Sequence, residues 1–472
     1  MVAINLLIKP FYIFGIDRVI HNEVGDANYG LYFTLFNFTF LLQIINDFGI
    51  QVYNSRKISQ NRDLLKTYFP GIMMLKFLLA GLYLVVVLVT AFFNYNEPSY
   101  YPFLIWIGLI HILNSMLLYL RSNIAGLGWY RTDSVISSLS KLLMILVCGV
   151  LLWTARFREA FVIEWFIYAQ IATLVMTVLI AAWVIRKEVS WKKWHFDFPF
   201  LCQIAKESYP YALAIFLMTV YTRIDVVMLE RMLTNGITEA SIYAKAYRLL
   251  DASNMIGFLF AGLLLPMFSR MLKEVEPFRD LLRFSFQMIM AGAIAVAVAV
   301  FFFQEEIMYL LYDEATADRS SVLGYLMLSF IPVCAIYVYS ALLTANESLM
   351  QMNRLFVFGI LLNIGMNYFL IQSHQAAGAA MATTVTQSFI AFGLIGLSIK
   401  TFKLSWEPGM ILKILGFTLA VISLSYIAST KIDGEWTVKF LTTILLSLLL
   451  ALLFQLIHPK SLIDLVKTKT NR

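Results

Sequence analysis

Apolar residues run in stretches of about 20 along this chain, broken by short polar intervals, and an α-helix needs roughly that length to cross ~30 Å of hydrocarbon. Fourteen such runs are read, at 2–20, 29–50, 68–93, 101–120, 134–155, 161–185, 208–230, 241–268, 284–303, 322–345, 355–371, 376–399, 410–429 and 437–457. The pattern predicts an all-α polytopic membrane protein of about 14 transmembrane helices. Runs one, two and eight are the least apolar, because polar and charged side chains sit within them. The amino-terminal run is expected to be a span and not a removable signal, since Lys9-Pro10 interrupts it and no small-residue cleavage site follows.

The two halves repeat. Ile16-Asp17-Arg18 in the first run stands where Arg223-Ile224-Asp225 stands in the seventh. Tyr29-Gly30-Leu31-Tyr32 matches Ala240-Ser241-Ile242-Tyr243, Ser55-Arg56 matches Ser269-Arg270, and Trp129-Tyr130-Arg131 matches Met352-Asn353-Arg354; with Asp17 and Asp225 included, the separations run from 208 to 223 residues. Six runs per half in one orientation make a parallel repeat, a plan that lets two lobes rock around a site near the bilayer midplane. The predicted organisation is an N-lobe over 1–186, a cytoplasmic linker over 187–207, a C-lobe over 208–401, and two further spans with a cytoplasmic tail over 402–472. The linker is basic and Trp-rich, which suits a segment lying along the membrane surface.

Composition narrows the class. Hydrophobic residues make up 60% of the chain and charged ones 14%, against ~25% charged in soluble domains, so a soluble globular protein is excluded. The formal charge of +7 does not signal nucleic acid, because the bases flank membrane spans. Of the 36 Lys and Arg, 23 fall in one alternate set of connections and the span edges beside them, six in the other set and its edges, and seven deeper within spans. That asymmetry places both termini in the cytoplasm, as an even number of spans requires. Cys148, Cys202 and Cys334 form no disulfide framework or metal site, and the histidines show no metal-ligand spacing, so no cofactor is expected.

Charges inside the spans are the candidate chemistry. Seven bases, Lys9, Arg18, Lys76, Lys141, Arg223, Lys245 and Arg248, face four acids, Asp17, Asp47, Asp225 and Asp251. Exposing all seven bases to lipid would cost on the order of 20 kcal/mol, beyond a typical fold's net stability, so most must face an interior space or one another. Near helix ends, Arg18 and Lys76 can snorkel to the interface. Lys9, Arg18, Lys141, Arg223, Lys245 and Arg248 are the candidates for gripping an anion, with internal ion pairing as the competing reading. Asp251, three residues after Arg248, is placed to pair with it. Softer polar stripes at His111 and Asn114, Gln43 and Asp47, and Asn363 and Asn367 are expected mainly to hydrogen-bond helices together. No nucleophile elbow, P-loop or carboxylate pair flanking a cleft occurs, so no enzymatic activity is expected.

The motifs carry a resemblance. Tyr29-Gly30-Leu31-Tyr32 followed by Asp47-Phe48-Gly49, Arg223-Ile224-Asp225, Ile242-Tyr243-Ala244-Lys245-Ala246-Tyr247, and Ala376-Ala377-Gly378-Ala379-Ala380-Met381-Ala382-Thr383 are similar to helix motifs of one transporter group. In them the chain resembles the polysaccharide transporter branch, the Wzx-type O-antigen and capsule flippases, of the multidrug/oligosaccharidyl-lipid/polysaccharide (MOP) exporter superfamily. The likeness implies a MATE-like pair of six-helix lobes plus two C-terminal helices in the bacterial inner membrane. It also implies a flippase that moves an undecaprenyl pyrophosphate-linked oligosaccharide across the bilayer by alternating access, and it admits polysaccharide polymerase machinery as a partner. Asp17, Asp47, Asp225 and Asp251 become candidates for ion coupling, Asp17 and Asp225 foremost. A surplus of bases in the spans independently suits a pyrophosphate. Three alternatives stand: a lipid II flippase, a multidrug/cation antiporter, which the base surplus disfavours, and a polysaccharide polymerase or ligase. That last class needs a sizeable external loop, whereas 304–321 is the longest one.

Overall fold

Apolar runs become helices throughout the computed structural model, which describes residues 8, 10–95, 97–189, 197–275, 277–313, 316–405 and 408–457; no strand occurs among the described residues. A π-helical turn, Tyr12–Asp17, leads into α1 (Arg18–Leu41), followed by the short α2 (Gln43–Asp47) and α3 (Ile50–Gln60). Then come α4 (Leu64–Asn94), α5 (Tyr100–Gly126), α6 (Tyr130–Trp153), α7 (Ala155–Arg158), α8 (Ile163–Ile185) and α9 (Phe198–Met232). The remainder is α10 (Gly236–Lys273), α11 (Arg279–Phe302), α12 (Gln304–Leu311), α13 (Ala317–Ala345), α14 (Leu349–Phe402), α15 (Pro408–Thr430) and α16 (Trp436–Leu453). Lys9, residues 190–196 of the linker and the tail 458–472 lie outside the described residues.

Large apolar side chains stay exposed on many of these helices: Leu82, Val85, Val89, Phe92 and Phe93 on α4, Leu412, Leu415 and Leu419 on α15, Leu441, Leu445 and Leu449 on α16. Such surfaces are stable against lipid and not against water. The protein is a multi-pass membrane protein.

The expected fourteen spans are not reproduced by length and hydropathy. Among the described residues eleven helices qualify, or twelve if the pair Tyr12–Leu41 and Gln43–Ser59, bent by 50°, counts as one. Two regions account for the difference. Near the amino end, the predicted runs 2–20 and 29–50 meet a chain that is non-helical at Gly25 (φ 76°) and left-handed at Phe48 and Gly49 (φ 49° and 72°). Residues 2–7 and 9 of the first run are also outside the described part.

The second region is α14, whose 54 residues would reach ~80 Å as one rod. Its backbone is non-helical at Gln375 (φ 52°, ψ −131°), between the predicted runs 355–371 and 376–399. A Cβ on Gly393 would lie 2.5 Å from Leu355 Cδ1, and one on Gly359 would lie 2.8 Å from Ile390 Cδ1. Close approach at such paired positions means that the arms run antiparallel and pack on each other, a helical hairpin turned at Gln375. The turn falls in the polar interval Gln372-Ser373-His374-Gln375 that separates the two predicted runs, so this one long helix contains both of them.

The chain folds as two compact units. The first comprises Met1–Ala244 and Ile364–Gln375. Its core gathers Ile50, Tyr53 and Ile58 of α3, Phe69 and Ile72 of α4, Tyr119, Leu120 and Ile124 of α5, Ile185 of α8 and Ile204 of α9. The second comprises Lys245–Asn363 and Ala376–Arg472. There α11 is central and packs on α13, α15 and α16. Small side chains at Ala291, Ala293, Ala295, Ala297 and Ala299 are all buried, as close packing in lipid favours.

Candidate functional site

Glycine geometry explains the two most specific motifs. In Tyr29-Gly30, a Cβ on Gly30 would collide with the Ile237 carbonyl oxygen, so only glycine lets α1 touch the start of α10. At Asp47-Phe48-Gly49 the chain turns left-handed, and a Cβ on Gly49 would lie 2.6 Å from Ala212 N and 2.8 Å from Ser208 O. Here the break between α2 and α3 receives the backbone of α9.

That break positions Asp47. Lys76 of α4 is fully buried and donates from Nζ to Asp47 Oδ1 and to the Asn46 carbonyl, each at 3.0 Å, and also to Ser115 Oγ. From its position in the sequence Lys76 could snorkel. Instead its ammonium turns inward because Asp47, the Asn46 carbonyl freed by the helix break, and Ser115 supply acceptors there. His111 of α5 is likewise buried, with Nε2 3.1 Å from Thr39 Oγ1 and its ring 4.6 Å from Phe36.

Asp17 and Asp225, the foremost carboxylates, are both buried and held in the same way. Tyr29 OH donates to Asp17 Oδ2 at 2.8 Å, and Tyr243 OH donates to Asp225 Oδ2 at 2.9 Å. Each half thus pairs an aspartate near the end of one helix with a tyrosine at the start of the next. The sequence repeat aligns Tyr32 with Tyr243, but Tyr29, one turn earlier on the same face, takes the role. Asn367 Nδ2 donates to the other oxygen of Asp225 at 2.6 Å.

Around Tyr29 a polar string continues that the sequence did not disclose. Its ring stacks on His21 at 3.8 Å between centroids and 12° between planes. His21 Nε2 lies 3.0 Å from Asp26 Oδ1 and 2.8 Å from Ser241 Oγ, and Ser241 Oγ donates to the same Asp26 oxygen at 2.9 Å. In the sequence His21 is one of several scattered histidines. Its partner Ser241 is 220 residues away, so only the match of Tyr29-Gly30-Leu31-Tyr32 to Ala240-Ser241-Ile242-Tyr243 hinted at it.

The cations are placed as follows. Lys9 lies outside the described residues. Arg18 is half-buried, and its Nε is buried with no hydrogen-bond partner among the described residues. Lys141 Nζ sits 4.1 Å from the centroid of the Tyr12 ring, in the π-turn that ends at Asp17. Arg223 lies 5.5 Å from the Phe40 ring centroid, half-buried, while Asp225 two residues on is fully buried. Residues two apart on a helix point nearly opposite ways, which separates their environments.

Arg18, Lys141 and Arg223 with Asp17, Asp47 and Asp225 therefore belong to the first unit. The second unit holds Lys245, buried with Nζ 5.5 Å from the Tyr312 ring centroid, and Arg248, whose Nη1 is 3.9 Å from Asp251 Oδ2. A cation against an aromatic face gains ~2 kcal/mol or more when desolvated, which offsets part of the cost of holding it at membrane depth. Among the described residues no group of three or more His, Cys, Asp or Glu is disposed to hold a metal ion.

Known proteins share this architecture. The chain aligns with the solved lipid II flippase MurJ in its inward closed conformation at TM-score 0.72 and 16% identity, covering 96% of this chain and 97% of that one. It aligns with a MOP superfamily transporter from Pyrococcus furiosus at TM-score 0.60 and 15% identity, over 85% of this chain and 96% of that one. A Vibrio cholerae MATE transporter aligns at TM-score 0.60 and 13% identity, over 85% and 94%. No curated protein matches the sequence significantly. At these identities the alignments establish the fold. Residues 14–272, more than half of the chain and containing both Asp–Tyr pairs, match the family described as polysaccharide biosynthesis protein. The chain belongs to that polysaccharide biosynthesis protein family and carries the fold of the MOP superfamily transporters.

Proposed function

We propose that this protein is a flippase for an undecaprenyl pyrophosphate-linked oligosaccharide, moving the repeat unit across the bacterial inner membrane for O-antigen, capsule or exopolysaccharide synthesis. The observation that carries the reading is the family match of residues 14–272 on a fold shared with a lipid II flippase. The chemistry agrees with it. A pyrophosphate does not enter hydrocarbon unaided, and Lys141 and Arg223 present positive charge beside the aromatic faces of Tyr12 and Phe40. Aromatic faces next to cations suit a sugar joined to a phosphate. In this reading Lys9, Arg18, Lys141, Arg223, Lys245 and Arg248 bind the head group during alternating access. Asp17 and Asp225, each held by a tyrosine, couple the movement to an ion gradient, with Asp47 and Asp251 in lesser roles.

Lipid II itself is the second reading, favoured by the 0.72 TM-score to MurJ. The test is cellular. A strain lacking its polysaccharide flippase is supplied with this protein, then with Lys141→Ala, Arg223→Ala or Lys245→Ala. Restored surface polymer, lost in the variants at equal membrane abundance, is the expected result. Rescue of a lipid II flippase deletion instead would move the substrate to lipid II, and unchanged polymer in all three variants would defeat the assigned residues.

A further inference from the structure

Apart from the buried charges, the second unit carries a cavity of about 480 Å³ at the feet of the α14 hairpin. Its walls are Gln351 and Arg354 from the start of the first arm and Leu397, Lys400 and Thr401 from the end of the second. The antiparallel arms thus bring two cations, 46 residues apart in sequence, to one hollow. Both are exposed, and no described acidic side chain forms an ion pair with either.

What lies along the arms from those cations identifies the ligand. Gln351, Arg354, Phe358 and Leu361 follow one another at spacings of three and four, so they share a helix face, with Phe358 62% and Leu361 63% exposed. On the second arm Lys400, Gly396, Phe392, Phe389 and Val385 make the equivalent stripe, with Phe392 74% exposed. Each arm therefore starts with a cation at the hollow and continues as an outward apolar strip. Seven residues of helix from Arg354 to Leu361 span ~10 Å, a depth that acyl chains reach below their headgroup. A soluble anion would use the cations and have no use for the strips.

We propose that this hollow is a binding site for the phosphate of an anionic phospholipid, its acyl chains lying along the two apolar strips of the hairpin. The guanidinium of Arg354 and the ammonium of Lys400 take the phosphate oxygens, and Gln351 and Thr401 offer further donors to the headgroup. The charge asymmetry of the loops assigns this end of the hairpin to the cytoplasmic leaflet, where anionic lipids give basic side chains favourable binding. Neither Arg354 nor Lys400 is among the residues proposed to bind the transported head group, and the hollow holds a resident lipid.

The experiment uses the full-length protein purified in detergent and titrated with phosphatidylglycerol, phosphatidylcholine and inorganic phosphate, with bound lipid read by native mass spectrometry. Wild type should retain phosphatidylglycerol in preference to phosphatidylcholine, and millimolar phosphate should not displace it. The Arg354→Gln/Lys400→Gln double variant should bind phosphatidylglycerol about thirtyfold more weakly, while Arg354→Lys/Lys400→Arg keeps most of the affinity. Both positions are exposed, so the variants should melt with the wild type, which separates lost binding from lost folding. Equal retention of the two lipids, unchanged binding in the Gln variant, or displacement by phosphate alone would each overturn the proposal.

Discussion

Lys76→Met is the perturbation whose consequence can be worked most closely from the structure. The lysine is wholly buried, and its ammonium holds Asp47 Oδ1 and the Asn46 carbonyl at 3.0 Å together with the Ser115 hydroxyl. Methionine fills nearly the same volume, so no cavity confuses the result. What is lost is the partner of a carboxylate whose side chain is only 16% exposed. Removing one member of a buried ion pair costs about 3–5 kcal/mol, because the other charge stays uncompensated. For a unit of this size, that corresponds to a melting temperature lower by roughly 6–10 °C. The Lys76→Met/Asp47→Leu double variant removes both charges, and should regain part of the loss. What it does not regain is the cost of the Asn46 carbonyl and Ser115 hydroxyl losing their donor, about 1–3 kcal/mol. The assay is thermal unfolding of the detergent-purified protein, wild type and three variants in a double-mutant cycle. A Lys76→Met protein that melts with the wild type, or a double variant no better than the sum of the singles, would refute the reasoning.

Other perturbations test other parts. Tyr29→Phe and Tyr243→Phe each remove the hydroxyl that donates to a buried aspartate, and each should cost about 1–3 kcal/mol in the same melt; a loss in one alone would break the equivalence of the two pairs. Gly49→Ala places a methyl 2.6 Å from a backbone nitrogen at a φ of +72° and should cost about 3 kcal/mol in folded yield and melting. Gly81→Ala, with nothing within 4 Å, is the control expected to leave both unchanged. Gln375→Gly relieves a side chain at φ 52°, ψ −131° and should stabilise by about 1 kcal/mol, whereas Gln375→Ile should destabilise.

Where a helix is apolar along its whole length, the sequence read it closely. The expected run 161–185 is Ile163–Ile185 in the structure, and 410–429 is Pro408–Thr430. Two joints were legible as polar intervals, 21–28 and 372–375, but not the single backbone conformations, at Gly25 and Gln375, through which the chain turns there. The site shows the same division. That Asp17, Asp225, Lys141 and Arg223 are costly in lipid follows from residue type and depth, so they could be singled out from sequence. Which neighbour answers each charge depends on packing between distant segments: Asn367 reaches Asp225 across 142 positions, and His21 reaches Ser241 across 220. Lys76 shows the limit most clearly, because the same depth allowed either a snorkelling or a buried ammonium. The choice was made by acceptors that a helix break exposed 30 residues upstream.

The most direct measurement is transbilayer movement itself. Purified protein is reconstituted into liposomes carrying a labelled undecaprenyl pyrophosphate-linked oligosaccharide, and the label reaching the outer leaflet is followed with a membrane-impermeant reagent. The account predicts rapid equilibration with the wild-type protein. Lys141→Ala/Arg223→Ala should slow it at least about tenfold, as losing one charged contact of ~1.4 kcal/mol or more would require. Exchange no faster than in protein-free liposomes, or a double variant as fast as wild type, would contradict it.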